Sequence, residues 1–263
     1  MPQRLGLLAV MVAAVLMVAR PAAVAEPTPG LPPVLKVLVA ADEMPEMFSF
    51  APSGPPGFER ELLEGFCRIH GLELAVVPVR DFEKIIPMLL RGEGDVISGI
   101  VDTETRRQRI AFTNEVFPVR HLAVTRRPRP AVGRPEELRT LRVGVIPGTS
   151  WAEAAATAGV PPGKQVPFGD ATALLAGLRA GKVDAVVMAL LDYALAQKRD
   201  PELAAGPFVG PSASAAMGVR KDDSSLRVSL NGYLEGLRQA RHNLMFKYLS
   251  EDALSLIALA RRR

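Results

Sequence analysis

The chain has one cysteine among 263 residues, together with three histidines, one tryptophan and three tyrosines. A single cysteine permits no internal disulfide, which excludes a disulfide-stapled scaffold. The histidines, His70, His121 and His242, lie far apart and show no metal-ligand spacing, and no Cys pair accompanies them. The glycines form no phosphate-cradling loop of recognised spacing. Neither a metal nor another cofactor is expected from these residues. Charge of one sign is also scarce where it would count. Lys and Arg number 32 against 28 Asp and Glu, and the pI is near 9.4. Two of these bases, Arg4 and Arg20, precede Glu26, and three are the terminal Arg261, Arg262 and Arg263. Residues 26–260 carry 27 bases and 28 acids. No basic body remains to grip a polyanion, so nucleic-acid binding is not expected.

Long apolar runs are confined to the start. Leu5 to Ala19 contains no acid or base, follows Arg4, and is broken by Arg20-Pro21. Ala23-Val24-Ala25 places small residues before Glu26. This order matches a secretory signal peptide over 1–25, with cleavage expected after Ala25. The run is short of the roughly 20 residues of a spanning helix. No cysteine near the cut offers a lipid anchor, so the expected product is a free periplasmic protein.

What is present is ample core material, with 48% hydrophobic and 23% charged residues. Pro27 to Pro33 reads as the end of a linker over 26–33, followed by a strand at Leu35 to Ala40. Phe58, Leu62, Leu63, Phe66 and Ile69 recur at helical spacing and Gly71 closes that helix. Cys67 sits among these apolar residues and reads as core. A strand over 72–79, a helix over 82–90 and a strand over 95–100 follow. Alternating strands and helices of this kind predict parallel sheets in an α/β fold. The phrase Leu90-Arg91-Gly92-Glu93-Gly94-Asp95-Val96-Ile97 has a counterpart in Leu178 to Val187, and Leu141 to Ile146 restarts the pattern of Leu35 to Ala40. Two lobes of similar build are expected, with the Arg- and Pro-rich stretch 126–135 marking a crossing between them.

At Gly99 to Phe117 (GIVDTETRRQRIAFTNEVF), Val143 to Ser150 (VGVIPGTS), Lys182 to Val187 and Met217 to Lys221, the chain resembles the type II periplasmic solute-binding proteins, and most closely their family-3 group. The resemblance implies two α/β lobes joined by two hinge crossings, with lobe 1 over 34–121 and 214–263 and lobe 2 over 122–213. It also implies a monomer that clamps a small carboxylate-bearing ligand and hands it to an ABC permease in the inner membrane. Arg106 of Thr103-Glu104-Thr105-Arg106 matches the arginine that grips the ligand carboxylate, which suits a guanidinium fork. On spacing alone Arg106, Arg107 and Arg109 would read as a solvated basic face. Thr149 and Ser150 match the second lobe's hold on the same group, and the same residues would serve as an ordinary helix N-cap. Asp42, Ser98, Gly99, Val101 and Phe82 match cleft positions. Phe48 lies at a site often aromatic or is plain core, and Trp151 either stacks on the ligand or packs a helix start.

The main departure is Ala189, where amino-acid binders of the family commonly place an Asp for the α-ammonium. Asp192 either reaches the cleft or caps a helix over 193–198. The expected ligand is therefore an organic anion, or an amino acid whose amine is held in another way. Two alternatives remain on the same fold. One is a cyclohexadienyl (arogenate or prephenate) dehydratase with Asp192 as its acid. The other is an accessory protein of a periplasmic quinoprotein dehydrogenase that has lost transport.

Overall fold

Runs of β-branched and aliphatic residues alternate along the chain with amphipathic segments, and each run becomes a strand buried beneath its neighbouring helices. The computed structural model describes residues 28–40, 49–50, 54–248, 255, 258 and 259. The signal-peptide region, Asp42, Phe48 and the terminal arginines lie outside the described residues.

The first half opens with β1 (Val34–Ala40), α1 (Phe58–His70), β2 (Glu73–Val79), α2 (Ile85–Leu90) and β3 (Val96–Asp102). A short 3-10 turn, Phe82–Lys84, leads into α2. The strands are parallel, with β1 between β2 and β3. Gly71 ends α1 in the left-handed region at φ 66°, a conformation that glycine adopts without strain. α3 (Glu104–Arg107), β4 (Ala111–Phe112) and β5 (Phe117–Arg126) follow. The second half repeats the scheme with β6 (Val143–Val145), α4 (Ser150–Thr157), β7 (Gln165–Pro167), α5 (Ala171–Arg179) and β8 (Ala185–Ala189). Here β6 lies between β7 and β8, again in parallel. α6 (Leu190–Arg199), the long β9 (Leu203–Val219), α7 (Ser224–Gly236) and α8 (Arg238–Tyr248) complete the chain.

Two antiparallel strands join the halves. β9 pairs with β3 and β4 at Ser214–Val219 and with β5 at Leu203–Ala215. β5 pairs with β8 through His121–Val124. The full order is β2-β1-β3-β9-β5-β8-β6-β7. The β5–β9 register shifts between Val119 and His121, where Gly210 holds φ 70°. The crossing thus lies within paired strands, and the stretch 126–135 does not form it. Arg126 pairs with Leu203 at the far end of the second half, and Arg129 there binds Asp184 at 2.8 Å. The β5–β9 pairing continues beyond the crossing as far as Arg126, where the Arg- and Pro-rich stretch begins.

One hydrophobic cluster runs through both halves, from Leu35, Phe58 and Phe66 to Leu174, Met188 and Tyr193. Smaller clusters fill the other face of each half, around Ile97 and Leu89 and around Val143 and Val187. Cys67 is buried as expected, and burial raises its thiol to about 11. Ile69, in the last turn of α1, is 59% exposed, so the buried part of the stripe ends at Phe66 and Cys67. The returning α7 docks on α1, with Tyr233 donating to the Leu62 carbonyl at 2.8 Å and its ring edge-on to Phe66. Thr28 to Pro33 is tied down as well, since Thr28 N–H donates to the His70 carbonyl at 3.2 Å. Phe58 is fully buried and packs edge-on against Phe117 at the start of β5, with ring centroids 6.2 Å apart. Phe58→Ala is expected to cost about 3–5 kcal/mol, read from urea unfolding.

Candidate functional site

In parallel α/β sheets, ligands bind beyond the carboxyl ends of the strands, where loops and helix N-termini converge. Here the carboxyl ends of β3, β6 and β8 face one another across the seam between the halves. β3 leads through Thr103 into α3, which carries Arg106. β6 leads through Ile146-Pro147-Gly148-Thr149 into α4. Gly148 sits at φ 75°, and a Cβ there would lie 2.7 Å from Glu83 Cγ and 3.2 Å from Glu83 Cα. Only glycine lets this turn of the second half rest on the Phe82–Lys84 turn of the first.

Arg106 is 4% exposed and spans that contact. Its Nη1 donates to the Val101 carbonyl at 2.7 Å and its Nη2 to the Gly148 carbonyl at 2.9 Å. Its Nε lies 3.8 Å from Glu153 Oε1 on α4. The guanidinium carbon stands 5.5 Å from the Phe82 ring centroid. Burial lowers its pKa, while Glu153 and Asp102 oppose the shift. A guanidinium keeps its charge under such a shift. Two carbonyls from opposite halves therefore orient the fork. By contrast, Arg107 chelates Asp102 at 2.6 and 2.8 Å on the surface, and Arg109 is exposed.

The second half brings Thr149 and Ser150 to the same seam. The Thr149 hydroxyl accepts from Ala152 N–H at 3.3 Å and donates to the Ile146 carbonyl at 2.7 Å, so it caps α4. Ser150 is buried, and its Oγ shares a hydrogen bond with His121 Nε2 at 3.0 Å. His121 is buried on β5, directly opposite Ala189 of β8. Burial, followed by the positive charges of Arg106 and Arg120, holds the imidazole down at about 4. It is neutral at ordinary pH.

On the first half, Ser98 is buried and its hydroxyl donates to Glu59 Oε2. Glu59 lies in the first turn of α1 and is buried, and its other oxygen, Oε1, has no hydrogen-bond partner. Burial pushes its carboxyl up to about 8, with the Ser98 hydroxyl opposing. Gly99 holds φ 63° at the irregularity in the β3–β9 pairing. The Thr103 hydroxyl is buried without a partner. Trp151 is half-buried and packs against the main core, which favours its reading as a helix-start contact. Asp192 does not cap a helix. α6 begins directly after β8, with extended Ala189 as its N-cap, so Asp192 falls in the first turn. Burial pushes its carboxyl up to about 7. Among the described residues, no hydrogen bond or ion pair joins it to Arg106, Thr149, Ser150 or His121.

The structure thus gathers Arg106, Val101, Phe82, Thr149 and Ser150 at one seam. Sequence reasoning missed His121, Glu59 and Glu153 as neighbours of this seam and named Thr103 only as the start of the Thr-x-x-Arg motif. Glu59 follows Phe58 in an otherwise apolar helix face, where an acid at a stripe position was the available signal. His121 lacked any motif, and only strand register places it here.

A fold of two α/β lobes hinged by two strands, with a buried arginine at the seam, is that of the type II periplasmic binding proteins. The family model of bacterial extracellular solute-binding proteins, family 3, matches residues 35–250, and the chain belongs to that family. It is similar to ArgBP from T. maritima. A mutant of that protein has a TM-score of 0.76 at 28% identity, covering 83% of this chain and 96% of that one. Its truncated arginine-bound form has a TM-score of 0.71 at 29% identity, covering 78% and 96%. The histidine-binding periplasmic protein of Escherichia coli K12 is 27% identical over 185 residues, 66% of this chain and 71% of that protein. Membrane-bound lytic murein transglycosylase F of Pseudomonas fluorescens is 25% identical over 190 residues, 70% of this chain. The chain spans only 39% of that relative's length. Among the described residues, no helix is long and apolar enough to cross a membrane.

Two outcomes follow from this geometry. Gly148→Ala combines a strained backbone with a clash on Glu83, and is expected to destabilise the seam by about 1 kcal/mol or more. Small-angle scattering would record it as a larger radius of gyration. Glu59 keeps its proton in the folded chain up to about 8, whereas the unfolded chain releases it near 4.5. The stability this group contributes is therefore fully present below 4.5 and is lost as pH rises towards 8. Glu59→Gln keeps an acceptor for Ser98 without the acid. It is expected to raise the melting temperature by several degrees at pH 8 and to leave it unchanged below pH 4.5.

Proposed function

We propose that the protein captures a small carboxylate-bearing solute between its lobes in the periplasm and delivers it to an ABC permease in the inner membrane. The observation that carries this reading is the seating of Arg106. One buried guanidinium is oriented by the Val101 carbonyl of the first half and the Gly148 carbonyl of the second. An anion on the remaining edge of the fork would contact both halves at once, and binding would be coupled to closure of the lobes. Ser150 and the N-terminal N–H groups of α4 supply further donors from the other side. Asp42, Ser98, Gly99, Val101, Phe82, Trp151 and Asp192 complete the candidate lining. Lobe 1 is assigned to 34–121 and 214–263 and lobe 2 to 122–213, in a monomer.

The names of the relatives support the same direction. One is a histidine-binding periplasmic protein and another is arginine-bound in its solved form. The test is a thermal-shift screen with amino acids and organic acids, followed by calorimetry on each stabilising compound. Arg106→Ala is expected to weaken binding by about 2–5 kcal/mol while circular dichroism reports an intact fold. Arg106→Lys keeps the charge but loses the fork, and is expected to recover only part of the affinity. Unchanged affinity in both variants would refute the site.

A further inference from the structure

We propose that His121 and Ser150 form a second oxyanion-holding pair beside Arg106, so that the solute is an organic anion and not an α-ammonium zwitterion. The inference rests on the solute-binding reading above and names the charge class of its ligand.

Strand register supplies the first argument. His121 and Ala189 are directly opposed in the antiparallel pair of β5 and β8. Such residues project from the same face with side chains about 5 Å apart. The polar group at the carboxyl end of β8 is therefore an imidazole from the neighbouring strand, set beside a methyl group. The imidazole is fixed by the Ser150 hydroxyl at 3.0 Å, and both residues are at least nine-tenths buried.

The second argument is donor chemistry. A neutral imidazole bonded to a hydroxyl presents one further donor whichever way the shared proton lies. If Ser150 donates to Nε2, the ring proton sits on Nδ1. If Nε2–H donates to Ser150, the hydroxyl proton is free. Ser150 also opens α4, whose first turn carries partial positive charge. The pair thus offers hydrogen to an anionic or neutral oxygen.

The third argument is charge. The charged groups acting on the imidazole are Arg106 and Arg120, both positive. Among the described residues, the acids nearby are engaged elsewhere or are driven towards the neutral form, as Asp192 is by burial, which raises its carboxyl to about 7. Glu153 is already set against Arg106, and Asp102 is chelated by Arg107. Glu59 lies beneath Ser98 with its proton retained near neutrality. An ammonium beside this pair would face two guanidinium groups, and a buried charge left uncompensated is costly. A second oxygen of an acid would meet the donors of Arg106 and of the His121–Ser150 pair.

Calorimetry at pH 7 on matched acids differing only at the α-carbon tests the inference. Suitable pairs are malate and aspartate, 2-oxoglutarate and glutamate, and imidazole-lactate and histidine. In the pair that fits the cleft, the hydroxy or oxo acid is expected to bind at least about tenfold more tightly than the amino acid. His121→Ala is expected to erase that ratio. Ala189→Asp places a carboxylate opposite His121 and is expected to shift the ratio towards the amino acid. The second variant retains His121, and so keeps the test valid if the first fails to fold. An amino acid that binds the native protein as tightly as its partner acid, through Arg106, overturns this inference and leaves the solute-binding reading standing. A ratio unchanged in Ala189→Asp overturns it too. Absence of binding by every member of the panel also overturns it, and the Arg106 experiments on the wider screen then decide the solute-binding reading separately.

Discussion

The structure turns on the burial of one guanidinium at a boundary. Arg106 cannot surrender its charge, so its surroundings must compensate for its removal from water. They do so with two carbonyls drawn from different halves, an aromatic face and a carboxylate at 3.8 Å. None of these groups alone would hold the fork. Their convergence requires the Gly148 turn to lie against the Phe82–Lys84 turn, which in turn requires a residue without a Cβ at φ 75°. A single side chain thus couples backbone conformation, lobe contact and anion chemistry.

The topology explains why the convergence occurs at the seam. Both halves are wound the same way, so the carboxyl ends of β3, β6 and β8 point to a common boundary. The halves are linked by paired strands, and the hydrophobic core passes between them without interruption. The paired strands that link them are irregular at two places, between Val119 and His121, beside Gly210, and between Leu122 and Val124. Around this boundary the ionisable groups are tuned by burial in opposite senses. Glu59 and Asp192 are driven towards the protonated form and His121 towards the unprotonated form. In each case burial favours the neutral species, and Arg106 remains the buried cation among them.

Much of this was legible in residue order. Gly71 ends α1 as expected, the two helix–glycine–strand units mark the two halves, and Thr-x-x-Arg and Pro-Gly-Thr-Ser are the segments that meet at the seam. These features are local, since a turn or a cap is set by a few neighbouring residues. Several expectations did not survive. The Arg-Pro stretch 126–135 falls beyond the crossing, Ile69 is exposed past the buried end of its stripe, and Asp192 sits within a helix turn instead of capping it. Each error concerned where an element ends relative to others, which composition does not specify.

The sequence by itself determined the class of fold and the presence of an arginine suited to a carboxylate. Hydrophobic periodicity, turn residues and charge distribution act over short distances and are written in order along the chain. Only the tertiary structure decided that His121 lies opposite Ala189, that Ser98 covers a buried acid, and that Arg106 is held by both halves. Those relations span 68, 39 and 42 residues of sequence respectively. They are fixed by strand register and by the packing of helices on a shared sheet, which no local pattern encodes.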